Sequence, residues 1–144
     1  MDKITMVIVD GSVIGTGKGP GGWAAWVGDL DKYTLCSGQF DHIVGNNTAE
    51  LYAVLMGISQ CSHGSSVLIW TDSREVIHWL NGKPIRDPTI KEIRLAIGDA
   101  IDALELQVTV QKIKGHHQNT IHNEVDEEAH AQAKLAYQRI YGES

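Results

Sequence analysis

Four acids stand where a carboxylate could do more than solvate a surface: Asp10, Glu50, Asp72 and Asp126. Asp10 closes the apolar run ITMVIV, and Asp72 comes two residues after the apolar run VLIW. Short runs of this kind, rich in branched residues, read as buried strands. If the two strands are parallel neighbours, both carboxylates arrive at the same edge of a sheet. Glu50 and Asp126 fall near the starts of two helical patterns. Each taken singly needs no chemistry, since acids in a first helical turn complement the helix dipole, and Asp72 alone could cap the helix that follows it. The pair Asp10 and Asp72 is what asks for a chemical reason. Carboxylates gathered in a cleft of low dielectric repel one another and shift each other's pKa unless a cation neutralises them. Hard oxygen ligands of this kind select magnesium or manganese, and two such ions about 4 Å apart can hold both the attacking and the leaving oxygen of a phosphodiester.

The elements that must carry these acids follow from periodicity. Strands are predicted at 4–9, 22–27 and 33–40, the last two joined by the polar turn DLDK, and the three form an antiparallel meander. Thr48 is the predicted N-cap of a first helix, in which Leu51, Val54, Leu55 and Ile58 recur at helical spacing. A fourth strand at 67–70 leads to a helix at 73–80, stopped by Asn81-Gly82-Lys83-Pro84. Pro88 opens the next helix, with an apolar stripe from Ile90 to Leu104. Residues 106–113 alternate as a half-exposed strand does, and 124–141 is an alanine-rich helix. The order βββαβααβα predicts an α/β fold: a five-stranded mixed sheet, three strands antiparallel and then two parallel, flanked by helices.

Composition narrows the function classes. At 144 residues and 42% hydrophobic content the chain is read as one domain, 1–144. No stretch approaches the ~18–20 apolar residues of a membrane span, and MDKITMVIVD lacks a signal-peptide layout, so a cytoplasmic protein with no membrane partner is expected. Cys36 and Cys61 lack the spacing of a disulfide framework or a zinc site. A formal charge of −6 argues against a generic polyanion-binding surface, so a nucleic-acid partner would have to be held by something other than net charge. The four tryptophans read as core or rim, with Trp79 the one candidate for a nucleic-acid contact.

As an ordered set, DGS at 10–12 with the following PGG, NNTAEL at 46–51, TDS at 71–73 and KGHHQNTIHNEVDEEA at 114–129 resemble the motifs of type 1 ribonuclease H over essentially the whole chain. The resemblance implies the fold of that family and hydrolysis of the RNA strand of an RNA/DNA hybrid, leaving 3′-hydroxyl and 5′-phosphate ends. It implies two Mg²⁺ ions, with Mn²⁺ a substitute, bound by Asp10, Glu50, Asp72 and Asp126, and a protein acting as a monomer. It assigns substrate contacts to Gly11, Ser12, Asn46 and Asn47, in keeping with RNA recognition through 2′-hydroxyls. The Asn pair reads equally as a polar cap before Thr48. The glycines after Asp10 would let backbone approach a sugar-phosphate strand. A loop histidine that assists product departure maps to His116, with His117 the fallback, since an imidazole of pKa near 6.5 can donate a proton near neutral pH.

Three departures from the family pattern stand out. Only residues 81–87 separate Leu80 from Pro88, so the basic, Trp-containing protrusion of well-known cellular members is missing. Gly45 replaces the threonine that helps hold a DNA phosphate, and His122 stands where an asparagine precedes the final Asp by four residues. Two other classes remain open: an inactive hybrid-binding domain of the same fold, which would be expected to have lost at least one acid, and another nuclease of the wider fold group. An exonuclease of that group would show DxE where this chain has DGS.

Overall fold

The computed structural model describes residues 4–113 and 119–142. Nine elements follow one another: β1 (Ile4–Val13), β2 (Lys18–Gly28), β3 (Tyr33–Gly45), α1 (Asn46–Ile58), β4 (Ser66–Thr71), α2 (Arg74–Leu80), α3 (Pro88–Leu104), β5 (Gln107–Lys112) and α4 (Asn119–Tyr141). The strands form one sheet in the order β3-β2-β1-β4-β5. β1 pairs antiparallel with β2 and parallel with β4, and β5 extends the parallel part. The mixed sheet expected from the sequence is therefore present.

Two apolar layers sandwich the sheet. Alternate residues of a strand point to opposite faces, and β1 is divided accordingly. Val7 and Val9 join the core beneath α1 and α3, with Leu51, Val54 and Ile97, whereas Ile8 joins Trp26, Val125 and Ala129 beneath α4. On α4 the inward stripe Val125, Ala129, Ala133, Ala136 is fully buried, and its small residues let that helix lie close to the sheet. Among the described residues no helix is long and apolar enough to cross a membrane.

Several element ends differ from the sequence reading. β1 runs on to Val13, so Asp10 lies inside a strand, opposite Ala24 of β2, and not at a strand exit. Residues 18–21, which the predicted strand at 22–27 leaves out, open β2, with a bulge at Pro20/Gly22 that accommodates the proline. β3 continues to Gly45, and α1 begins at Asn46 with Gly45, not Thr48, as its N-cap. Glu50 accordingly sits in the second turn of α1. α4 begins at Asn119, five residues before the predicted start, so His122 is helical and Asp126 lies in the third turn.

The glycines after Asp10 have a structural reason of their own. A Cβ at Gly11 would lie 2.4 Å from the Glu50 nitrogen, and one at Gly22 would lie 2.5 Å from both the Ala129 oxygen and the Ala133 nitrogen. They let α1 and α4 press their backbones onto the two faces of the sheet. Gly22→Ala is therefore expected to cost about 2–3 kcal/mol, the scale of an overpacked core, because the α4 backbone that the new methyl meets cannot swing away as a side chain could. For a chain of this size that is a fall of roughly 5–10 °C in Tm, measurable by a thermal melt; an unchanged melt would mean that α4 shifts freely.

Candidate active site

Strand register brings the first two acids together. Ile8 and Trp70 are the last paired residues of the β1–β4 ladder. Asp10 and Asp72 each stand two residues beyond that pair, so they share its register, and by alternation they face the α4 side of the sheet. β1 stays paired with β2 through Val13 while β4 stops at Thr71, which opens a notch at the carboxyl end of the parallel pair. Sheets of this type hold ligands there.

Each carboxylate is held by its own local device. Asp10 is buried, and its Oδ1 accepts a hydrogen bond from the Gly11 nitrogen at 2.9 Å. Glu50 reaches the notch from the opposite layer; it is 2% exposed, and its Oε2 accepts from the Thr71 hydroxyl. Thr71 faces α1, as Val67 and Ile69 do on the same strand, and its Oγ1 accepts from the Ser73 nitrogen at 3.1 Å. Asp72 is not a helix cap: Ser73 fills that place, accepting from the Val76 nitrogen, so the Asp72 carboxylate is left to the notch. Asp126, itself exposed, stands against the Asp10 carboxyl from α4.

Crowding leaves its mark on protonation. Burial first, then contact with Asp126 and the charge of Asp72, pushes the Asp10 carboxyl up to about 8. Glu50 is raised well above the usual carboxylate range, chiefly by burial and further by Asp72 and Asp10. Two carboxyls kept from ionising by burial and by like neighbours form a donor set that a divalent cation would neutralise.

A histidine completes the cluster. His122 lies one turn before Asp126 on α4, so both project from the same face. Its Nε2 is 3.6 Å from Asp10 Oδ2 and 3.7 Å from Asp72 Oδ2, is shut off from solvent and has no hydrogen-bond partner among the described residues. The sequence placed His122 in a loop as a departure from pattern and did not count it a site residue. Thr71 was missed as well, although the motif TDS contains it; its role shows only once Glu50 is seen to cross from the other layer.

The remaining assignments divide. Ser12 Oγ is 3.3 Å from His130 Nδ1. Asn46 and Asn47 are exposed at the start of α1, with Asn47 Oδ1 accepting from the Ser73 hydroxyl at 2.9 Å. No side chain caps that helix, so the Asn pair does not serve as its cap. Both asparagines line a cleft of about 400 Å³, together with Lys18, Gly45, Trp79 and Thr89, and the Asn47–Ser73 bond joins it to the strand end that carries Asp72. His116 and His117 lie outside the described residues. Between α2 and α3 the chain has no helix, as the short connection predicts.

Comparison with known proteins agrees with this geometry. The sequence pattern of the family RNase H matches residues 2–134. A ribonuclease H of Caldicellulosiruptor saccharolyticus is 27% identical over 144 residues, spanning 92% of this chain and 97% of its own. Among solved structures, the N-terminal RNase H domain of Rv2228c from Mycobacterium tuberculosis superimposes with a TM-score of 0.78 at 16% identity, covering 94% of this chain and 96% of that one. LC11-RNase H1, solved in complex with an RNA/DNA hybrid, gives 0.75 at 17% identity, covering 92% and 98%.

Proposed function

The chain belongs to the RNase H family, and we propose on that premise that Asp10, Glu50, Asp72 and Asp126 are the residues with which it hydrolyses the RNA strand of an RNA/DNA hybrid. The observation that carries this reading is the meeting of Asp10 and Asp72, in matched register, with Glu50 from one layer and Asp126 from the other. Four carboxyls gathered around Asp10, which interacts with each of the other three, two of the four buried, suit two hard divalent cations, Mg²⁺ or in its place Mn²⁺. When bound, the ions supply charge stabilisation at the attacking and leaving oxygens of the phosphodiester.

The chain's own groups orient the donors. Gly11 fixes one oxygen of Asp10 and so turns Oδ2 toward Asp72. Thr71 does the same for Glu50, and Ser73 in turn steadies Thr71, so a buried acid from α1 is held at a set angle over the sheet edge. The cleft at the start of α1 offers short neutral groups, Asn46 and Asn47, which suit 2′-hydroxyls in a shallow minor groove, and Ser12, which stands outside that cleft against His130, is assigned a contact of the same kind. His116 is assigned proton donation to the departing oxygen, with His117 the fallback.

The defining assay compares labelled RNA/DNA hybrid, single-stranded RNA, double-stranded RNA and double-stranded DNA, each incubated with Mg²⁺. Internal cuts confined to the RNA of the hybrid, with 3′-hydroxyl and 5′-phosphate ends, are expected. Equal cutting of single-stranded RNA would overturn the reading.

Affinity follows from charge. Among the described residues Lys18 is the one lysine or arginine lining the cleft, and the sequence carries −6 overall. Each phosphate neutralised contributes about −0.9 to the slope of log affinity against log salt. A shallow slope, no steeper than about −2, and a high Michaelis constant are expected. Nanomolar binding of hybrid in physiological salt would show that other cations carry the phosphates.

A further inference from the structure

Among the described residues two buried side-chain polar atoms have no hydrogen-bond partner, Trp70 Nε1 and His122 Nε2, and the second stands beside the carboxylates of the notch. The His122 imidazole is 15% exposed, yet Nε2 itself is buried. An unpaired ring nitrogen in such a place is costly, and the two carboxylate oxygens that face it, Asp10 Oδ2 and Asp72 Oδ2, stand at 3.6 and 3.7 Å, beyond hydrogen-bond reach. Those separations have another meaning. Two ligands on one ion with bonds of ~2.1 Å lie ~3.0 Å apart when adjacent and ~4.2 Å apart when opposite. At 3.6 and 3.7 Å the separations stand between those two values, close to the ~3.4 Å of a tetrahedral pair, and all three atoms lie within 4.8 Å of one another, near enough for one cation to draw them in.

We propose that His122 Nε2 is a ligand, alongside Asp10 and Asp72, of one divalent ion in this centre, and that this nitrogen biases the position toward borderline transition ions such as Mn²⁺ over Mg²⁺. The proposal rests on the reading of Asp10 and Asp72 as metal ligands and adds a donor of a different kind. Mg²⁺ favours an octahedron of oxygens and gives up its waters reluctantly, whereas imidazole suits first-row transition ions. α4 supplies the placement: His122 projects from the same face as Asp126, one turn away.

The test uses the whole chain and Mn²⁺ alone, without nucleic acid. Pulsed electron paramagnetic resonance of the Mn²⁺-loaded protein should show directly coupled imidazole nitrogen. The coupling should persist in a His116→Ala/His117→Ala double variant and vanish in His122→Asn. Calorimetric titration should give a Mn²⁺-to-Mg²⁺ affinity ratio at least tenfold greater for wild type than for His122→Asn. Absence of nitrogen coupling in wild type, or its survival in His122→Asn, overturns the proposal. Should His122→Asn fail to fold, the double variant decides, with loss of coupling there counting against His122. If Asp10→Asn and Asp72→Asn leave Mn²⁺ binding intact, the carboxylate reading fails instead; if they abolish binding while wild type shows no nitrogen coupling, the histidine assignment alone fails.

Discussion

Asp10→Asn and Asp72→Asn are each expected to reduce turnover on RNA/DNA hybrid below about a hundredth of wild type while leaving the fold intact. Charge stabilisation by a bound ion is worth several kcal/mol in the transition state, and each 1.4 kcal/mol is tenfold in rate. Both residues face the notch that Glu50 and Asp126 share, so removing either takes away a ligand and its charge at once. Stability should move the other way. In the metal-free protein Asp10 is buried against Asp126 and Asp72, and an amide at that position relieves the repulsion while still accepting from the Gly11 nitrogen. The metal-free variants should melt at or above the wild-type temperature, and for Asp10→Asn the gap should widen at alkaline pH. A variant found unfolded by circular dichroism, or one retaining a tenth of wild-type turnover, would contradict the assignment.

The same geometry explains why some of it is legible in the sequence and some is not. Asp10 and Asp72 are readable because each follows an apolar run, and a buried parallel pair leaves its next outward residues at one edge. Strand ends were misjudged where packing, and not composition, decides them. The first half of β2 carries glycine and proline because α4 and a bulge demand them, and those residues also signal a turn. β3 lies at the sheet edge, so its polar stretch at Asp41 and His42 breaks the alternation without ending the strand. The start of α4 was hidden because NTIHN has neither apolar periodicity nor a strong helix former among its polar residues. That error of one turn concealed His122, since a residue assigned to a loop has no defined partner while one at four residues before Asp126 on a helix does. Thr71 and Glu50 illustrate a different barrier: their bond joins two layers, and no local pattern reports contacts across a sheet edge.

Turnover at limiting metal is expected to rise steeply between pH 6 and pH 8. Asp10 is pushed up to about 8 by burial and by Asp126 and Asp72, with Glu50 and His122 also against it. At pH 6 only about one metal-free molecule in a hundred carries an ionised Asp10, so a cation must displace a proton to bind. The metal-limited rate should therefore gain about tenfold per pH unit up to the region of pH 8 and then level. Saturating metal should move the midpoint to lower pH, because cation and proton compete for the same oxygens. Metal-free stability should show the opposite trend. A carboxyl whose pKa is higher folded than unfolded contributes stability that is complete below the unfolded value near 3.8 and is lost as pH rises through the folded value. Between pH 6 and pH 8 Asp10 alone accounts for a loss of about 2 kcal/mol, and Asp10→Asn should abolish that part of the slope. A metal-limited rate that stays flat from pH 6 to pH 8, or a metal-free protein that grows more stable over the same interval, would show that Asp10 is already ionised before any cation arrives.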